Sequence, residues 1–211
     1  NCKALNNSID ALANLKTLTI GEMVSTLPEG ASTAFSGITS IVYNAKNLKN
    51  IDSPFSANTN LRTVTIGEKV ETMRRGTFEN CTALTTLYFN AENCPSLTYD
   101  TFNGCTSLST AIFGDNVRTI PDNVLHNCPS ITSVTIPKNV KRIGEYAFYK
   151  CSGITLPSLS LPESLDSICQ YAFYNCSGIS SLTIPRSVKI IGAKAFNNIT
   201  NLTSVFFNAE N

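Results

Sequence analysis

The sequence predicts an elongated solenoid of α/β type, mainly β and right-handed. It has about eight to nine coils of ~23 residues with one short parallel strand in each. Three observations predict it. One pattern recurs along the chain, clearest as ITSVTIPKNVKRIGEYAFYKC at 131–151, with other copies opening at Leu15, Ile38, Leu61, Leu84, Leu108, Leu156 and Ile179. The openings are 23, 23, 23, 24, 23, 25 and 23 residues apart, and Leu202 opens an unfinished copy. Each copy begins with the period-two alternation of a strand, and most end in an aromatic residue, in four copies with cysteine three positions later. Self-similarity at such a period means a stack of units, none of which can bury its apolar face alone. Residues 1–211 therefore form a single domain: 1–14 the remnant of a preceding repeat or a cap, 15–201 eight repeats, 202–211 the unfinished one.

The opening Leu-x-x-Val-x-Ile is β-branched and alternating, so Val134 and Ile136 should point inward and Ser133, Thr135 and Pro137 outward. Gly67, Gly114, Pro137, Pro162 and Pro185 follow the strands and should stop them after a few residues. Next comes a Val-x-x-Ile pair (Val117/Ile120, Val140/Ile143, Val188/Ile191), whose spacing suits a turn or a short extended segment on the side wall. Phe35, Phe55, Phe78, Phe102, Phe148, Phe173 and Phe196 then form an aromatic spine, with Leu125 standing in once. About one helical turn around each Phe would bring the chain back parallel. At ~1.5–3 kcal/mol per buried side chain, stacking supplies the stability.

The eight cysteines also obey the repeat. Cys81, Cys105, Cys128, Cys151 and Cys176 share one column, read as a ladder of small buried hydrophobes with free thiols. Their Cβ vectors would run parallel instead of converging as a disulfide needs. Cys94 falls in the Val column and is expected in the core, while Cys169 replaces the glycine equivalent to Gly144 and is the thiol expected to be most exposed, with Cys2 a second candidate.

The pattern L-x-x-V-x-I-P-x-x-V-x-x-I-G-x-x-A-F-x-x-C, from residue 15 to 211, closely resembles the BspA-like class of leucine-rich repeats. Where ordinary leucine-rich repeats carry an asparagine ladder after the strand, Pro, Gly or Asn stands here. The resemblance implies an extracellular or cell-surface protein of bacteria or protists that adheres to host matrix proteins or to other cells. It implies no catalytic residue, and its motif is made of core positions, so no binding residue carries over.

Chemistry would have to break the repeat, and little does. Asp10, Asp52, Asp100, Asp115, Asp122 and Asp166 fall in turns and wall segments, where Asp is a common structural residue. His126, the one histidine, has no activating neighbour, and no CxxC pair exists, so neither a catalytic nor a metal site is expected, nor a cofactor. A net charge of +1 gives no footprint for nucleic acid, and no stretch is long enough to span a bilayer. Lys138, Lys141, Arg142, Arg186, Lys189 and Lys194 read as a solvated wall or, alternatively, a patch steering an acidic partner. The Asn-x-Ser/Thr triplets at Asn6, Asn80, Asn175, Asn198 and Asn201 could be glycosylated in a eukaryotic secretory host, but the repeat itself writes Asn-Cys-Ser/Thr, and coincidence is the better reading.

The outward strand positions form a nearly uncharged carpet of hydroxyls, interrupted by Val42, Tyr88, Ile112 and Phe206. Three of these four lie in a variant coil whose strand runs into Asn-Ala-Lys/Glu-Asn at 44–47, 90–93 and 208–211. Strand propensity alone would place such residues there. Read functionally, Val42, Tyr88 and Ile112 are apolar anchors set among Thr65, Thr86, Thr110 and Thr135. The expected function is a non-enzymatic adhesion module for a protein or glycan ligand, monomeric in isolation. A spacer array with no ligand is the alternative. The stop in mid-copy suggests a longer array.

Overall fold

Apolar side chains at fixed positions in every copy can leave water together only if the copies stack, and the computed structural model shows that stack. It describes residues 12, 14–28, 30–49, 51–155 and 160–208; Cys2, Asn6, Asp10, Leu156 and Ser158 lie outside them. In chain order the elements are β1 Thr17–Ile20, α1 Ala31–Ala34, β2 Ser40–Tyr43, β3 Thr63–Ile66, β4 Thr86–Phe89, β5 Thr110–Phe113, β6 Thr119–Ile120, β7 Ser133–Thr135, β8 Arg142–Ile143, β9 Ser167–Ile168, β10 Ser181–Ile184, β11 Ile190–Ile191 and β12 Ser204–Phe207. All named pairs are parallel: β1-β2-β3-β4-β5-β7 make one sheet and β10-β12 another.

Burial comes from the neighbouring coil. Leu182 and Ile184 are 2% and 4% exposed. Their registered partners Val205 and Phe207 lie on β12, which pairs on one side only among the described residues, and they are 42% and 67% exposed. The spine rings stack coil on coil, Phe55–Phe78 at 5.6 Å, Phe78–Phe102 at 5.5 Å, Phe148–Phe173 at 5.0 Å and Phe173–Phe196 at 5.4 Å.

One local expectation is sharpened and three change. The Val-x-x-Ile segment forms a second parallel sheet, β11-β9-β8-β6, because its Ile residues fall in register at Ile120, Ile143, Ile168 and Ile191. Pro137 is buried and does not face out. Alternation ends there because the chain turns a corner, closed by Val140 N–H to Pro137 C=O at 3.2 Å. The opening column between Ile131 and Ile179 is held by Ile154, fully buried with its N–H on Cys151 C=O as Ile131 N–H is on Cys128 C=O. The longer spacing therefore falls after Ile154, not before Leu156. The return is helical only at Phe35, which caps the four-residue α1; among the described residues no other spine position has a helix.

What replaces the helix is a backbone ladder. Residues two before and two after the spine position adopt positive φ: Asn123 and Asn127, Tyr146 and Lys150, Tyr171 and Asn175, Lys194 and Asn198. Every second N–H then points along the axis. Those of Asn123, Leu125 and Asn127 donate to Glu145, Ala147 and Tyr149 C=O at 2.9, 2.9 and 2.7 Å, and those of Tyr146, Phe148 and Lys150 to Gln170, Ala172 and Tyr174. Asparagine tolerates this region better than other side chains with a Cβ. The Asn of the recurrent Asn-Cys-Ser/Thr thus has a backbone reason.

The cysteine column has a hydrogen-bonding role as well. Each ladder thiol donates to the spine carbonyl of the preceding coil: Cys81 to Phe55, Cys105 to Phe78, Cys151 to Leu125 and Cys176 to Phe148 at 3.0–3.1 Å, and Cys128 to Phe102 at 3.7 Å. Asn58 takes the same position one coil earlier, donating Nδ2 to Phe35 C=O at 2.8 Å and accepting Leu61 N–H at 3.1 Å. A buried carbonyl needs a donor, and both residue types supply one. The variant coils have a steric explanation: the Asn44 and Asn90 side chains occupy the space a Cβ would need on Gly67 and Gly114.

Candidate interaction surface

The parallel register turns the outward strand positions into two rows. Thr17, Ser40, Thr63, Thr86, Thr110 and Ser133 form one, all hydroxyls. Thr19, Val42, Thr65, Tyr88, Ile112 and Thr135 form the other, so the three apolar candidates share one line. Tyr88 and Ile112 are direct partners across β4 and β5. Tyr88 is 39% exposed, Thr135 is exposed, and Val42, Thr65, Thr86, Thr110 and Ile112 are half-buried. Inward neighbours such as Val64, Leu87 and Ala111 are fully buried, which fixes the facing of the rows by strand geometry.

The acids serve the fold. Asp100 is buried; its carboxylate accepts Arg75 Nε at 2.7 Å and Gly76 N–H at 3.1 Å. Burial alone would raise it, but these bonds outweigh burial and hold it below the usual carboxylate range. Asp122 accepts Glu145 N–H at 2.7 Å and Arg142 at 2.8 Å, while Asp52 pairs with Arg74 at 2.7 Å and Asp166 with Lys189 at 3.4 Å. Two of the six basic residues named from the sequence are thus already paired.

Burial disfavours the thiolate at most of the cysteines; buried Cys81 is the exception, lowered by its hydrogen bond with Cys105. Burial pushes Cys94, Cys128 and Cys176 up to about 12 and Cys151 well above its ordinary value. Cys169 is half-buried, and burial raises it despite the opposing charge of Arg142. A nucleophile needs the reverse. His126 is depressed by burial and then by Lys150, and its Nδ1 is buried with no hydrogen-bond partner. No group of three or more His, Cys, Asp or Glu able to hold a metal occurs among the described residues.

The surface that strand periodicity could not reveal lies on the spine wall. Tyr99, His126, Tyr146, Tyr149, Tyr171 and Tyr174 form one continuous set of ring contacts there. Its signal in the sequence was present, as tyrosine two before and one after the spine Phe in consecutive copies. Only the stacking of coils turns those positions into two adjoining columns.

A family model, described as BspA type leucine rich repeat region, matches residues 25–155 and 118–211 with six copies. The chain belongs to the BspA-type leucine-rich repeat family. Members are in general protein-interaction or surface modules, on a fold that is generally a non-enzymatic scaffold. Among solved structures, this repeat chain is similar to a leucine-rich repeat protein from Bacteroides ovatus at 22% identity over 90% of this chain and 60% of that one, TM-score 0.66. The T. pallidum leucine-rich repeat protein aligns at 21% identity over 90% and 84%, TM-score 0.62. A leucine-rich cell surface protein from Faecalibacterium prausnitzii aligns at 20% identity over 95% and 62%, TM-score 0.53. The chain thus spans less than two thirds of the first and third of these. At such identities the likeness carries the fold. No curated protein matches. Among the described residues no helix is long and apolar enough to cross a membrane.

Proposed function

We propose that this chain is a non-catalytic interaction module, secreted or at the cell surface, that adheres to a host matrix protein, a glycan or another cell through the main sheet. The observation that carries the reading is the registered row Val42–Thr65–Tyr88–Ile112–Thr135 beside the hydroxyl row with Thr86 and Thr110. An apolar line edged by hydroxyls on a backbone hydrogen-bonded from coil to coil suits contact by shape, hydrogen bonds and buried anchors. Family membership supports a surface role, and so does the Faecalibacterium prausnitzii relative, which is a cell surface protein. No outward position of β2–β5 or β7 is charged, so binding should depend weakly on salt.

The test is a plate or biosensor screen against matrix proteins and glycans, followed by Tyr88→Ala with Ile112→Ser. The double variant should weaken the ligand by about tenfold or more, as loss of central anchors does, with little change in stability. Retained affinity in that variant, with collapse on changing Lys141, Arg142 and Lys189, would move the site to the basic wall. Binding to nothing in the screen would favour the spacer.

A further inference from the structure

The wall made by the spine turns changes character along the axis. One residue after the spine position the chain carries Ser56, Glu79 and Asn103, then His126, Tyr149 and Tyr174, then Asn197. The same backbone turn therefore accepts small polar side chains, and the fold does not require rings. Two residues before the spine stand Ser53, Gly76, Asp100 and Asn123, then Tyr146 and Tyr171, then Lys194. Both tyrosines hold positive φ, 53° and 56°, where bulky side chains are disfavoured. The turn imposes this φ on Ser53 and Lys194 as well, so the backbone does not select tyrosine in two consecutive coils.

The rings are locked against one another. His126 stacks on Tyr149 at 4.9 Å, Tyr149 on Tyr174 at 5.1 Å and Tyr146 on Tyr171 at 4.9 Å. Edge contacts join the columns, Tyr146–Tyr149 at 5.5 Å and Tyr171–Tyr174 at 5.4 Å. Lysine ammoniums cover further ring area, Lys150 5.4 Å from the Tyr149 centroid and Lys194 5.5 Å from that of Tyr171. With these faces occupied, a sugar ring has little aromatic face to stack on. Ring edges and phenolic hydroxyls remain, the rigid amphipathic surface on which protein contacts are made at low entropic cost.

The charged groups of the strip are two lysines against one acid. Among the described residues the hydroxyls of Tyr146, Tyr149 and Tyr171 have no hydrogen-bond partner, and Lys150 and Lys194 have no carboxylate partner. Glu145 is the acid beside them on the wall, at the next position to Tyr146. The strip thus offers unpaired phenolic hydroxyls, each able to donate, and two positive charges against the one negative charge of Glu145. Its complement is a run of acceptors with negative charge, which the backbone carbonyls and side chains of an acidic polypeptide provide. We infer that the tyrosine strip is a second docking surface, separate from the sheet face, for an extended acidic protein segment.

The experiment selects peptides from a random library displayed on phage against the folded 211-residue chain. Dominant binders should be enriched in Asp and Glu, and a synthetic copy should bind more weakly as salt rises. Tyr149→Ser with Tyr174→Ser should lower its affinity about tenfold or more. Serine already occupies that column at Ser56, and an unchanged thermal midpoint checks the fold. Lys150→Ala with Lys194→Ala, which leaves the rings in place, should also weaken binding, whereas Tyr88→Ala with Ile112→Ser should not. Three results would overturn the inference: binders without acidic enrichment, binders indifferent to both strip variants, or a sulfated glycosaminoglycan binding through the strip where no peptide does. Failure here leaves the sheet-face reading intact, because that reading is tested by the Tyr88 and Ile112 pair alone.

Discussion

Replacing Phe148 by alanine tests the source of stability directly. Phe148 is fully buried, lies between Leu125 and Phe173 along the spine, and stacks on Phe173 at 5.0 Å and 11°. Deleting a buried phenyl from a packed core costs ~3–5 kcal/mol. One stacked pair, worth ~0.5–1.5 kcal/mol, is lost with it. Phe148→Leu mimics the natural Leu125 and should cost under about 1.5 kcal/mol. Phe78, stacked on both Phe55 and Phe102 and edge-on to Tyr43, should lie at the upper end of the range. Thr135→Ala on the exposed row should stay within about 0.5 kcal/mol. Because each coil packs only on its neighbours, the Phe148→Ala defect should also separate the two halves of the stack and broaden the urea transition. The assay is urea unfolding followed by circular dichroism for the four variants. Equal midpoints for Phe148→Ala and Thr135→Ala would refute the assigned facing, and equal costs for Leu and Ala at 148 would refute the packing argument.

Two further outcomes follow from the same geometry. A thiol reagent should leave Cys81, Cys105, Cys128, Cys151 and Cys176 unmodified in the native protein and label half-buried Cys169 first, with full labelling on unfolding; a mass spectrum showing a Cys128–Cys151 or Cys151–Cys176 link would sink the free-thiol ladder. The depressed His126 predicts the sign of a pH effect: the folded state takes up its proton less readily than the unfolded chain, whose imidazole titrates near ~6.5. The contribution of His126 to stability should be flat above about pH 7 and be lost progressively as pH falls below ~6.5. His126→Asn, the residue already present at Asn103 and Asn197 in that column, should remove this part of the slope, and superimposable pH curves would contradict it.

The solenoid, the spine and the thiol ladder were legible in the sequence because each is a one-dimensional pattern. Period and alternation say which side chains must leave water, and in a stack of identical units nothing else competes to bury Phe148 or Cys151. The facing of Tyr88 and Ile112 followed for the same reason, since successive residues of a strand alternate sides. Where alternation ended, at Pro137, the inference from period two failed.

The tertiary structure decided whatever depends on the relation between coils. Positive φ at Tyr146 and Tyr171, the axial N–H ladder, and the role of Asn58 as a stand-in for cysteine appear only once a neighbouring carbonyl is in place. The same holds for the tyrosine strip. Within one coil Tyr146 and Tyr149 are merely near each other, and contacts of about 5 Å to Tyr171 and Tyr174 arise from stacking. Sequence reports what each coil must hide from water. What a surface presents is set by residues some 25 positions apart, Tyr149 and Tyr174 for instance, which the stack brings into van der Waals contact.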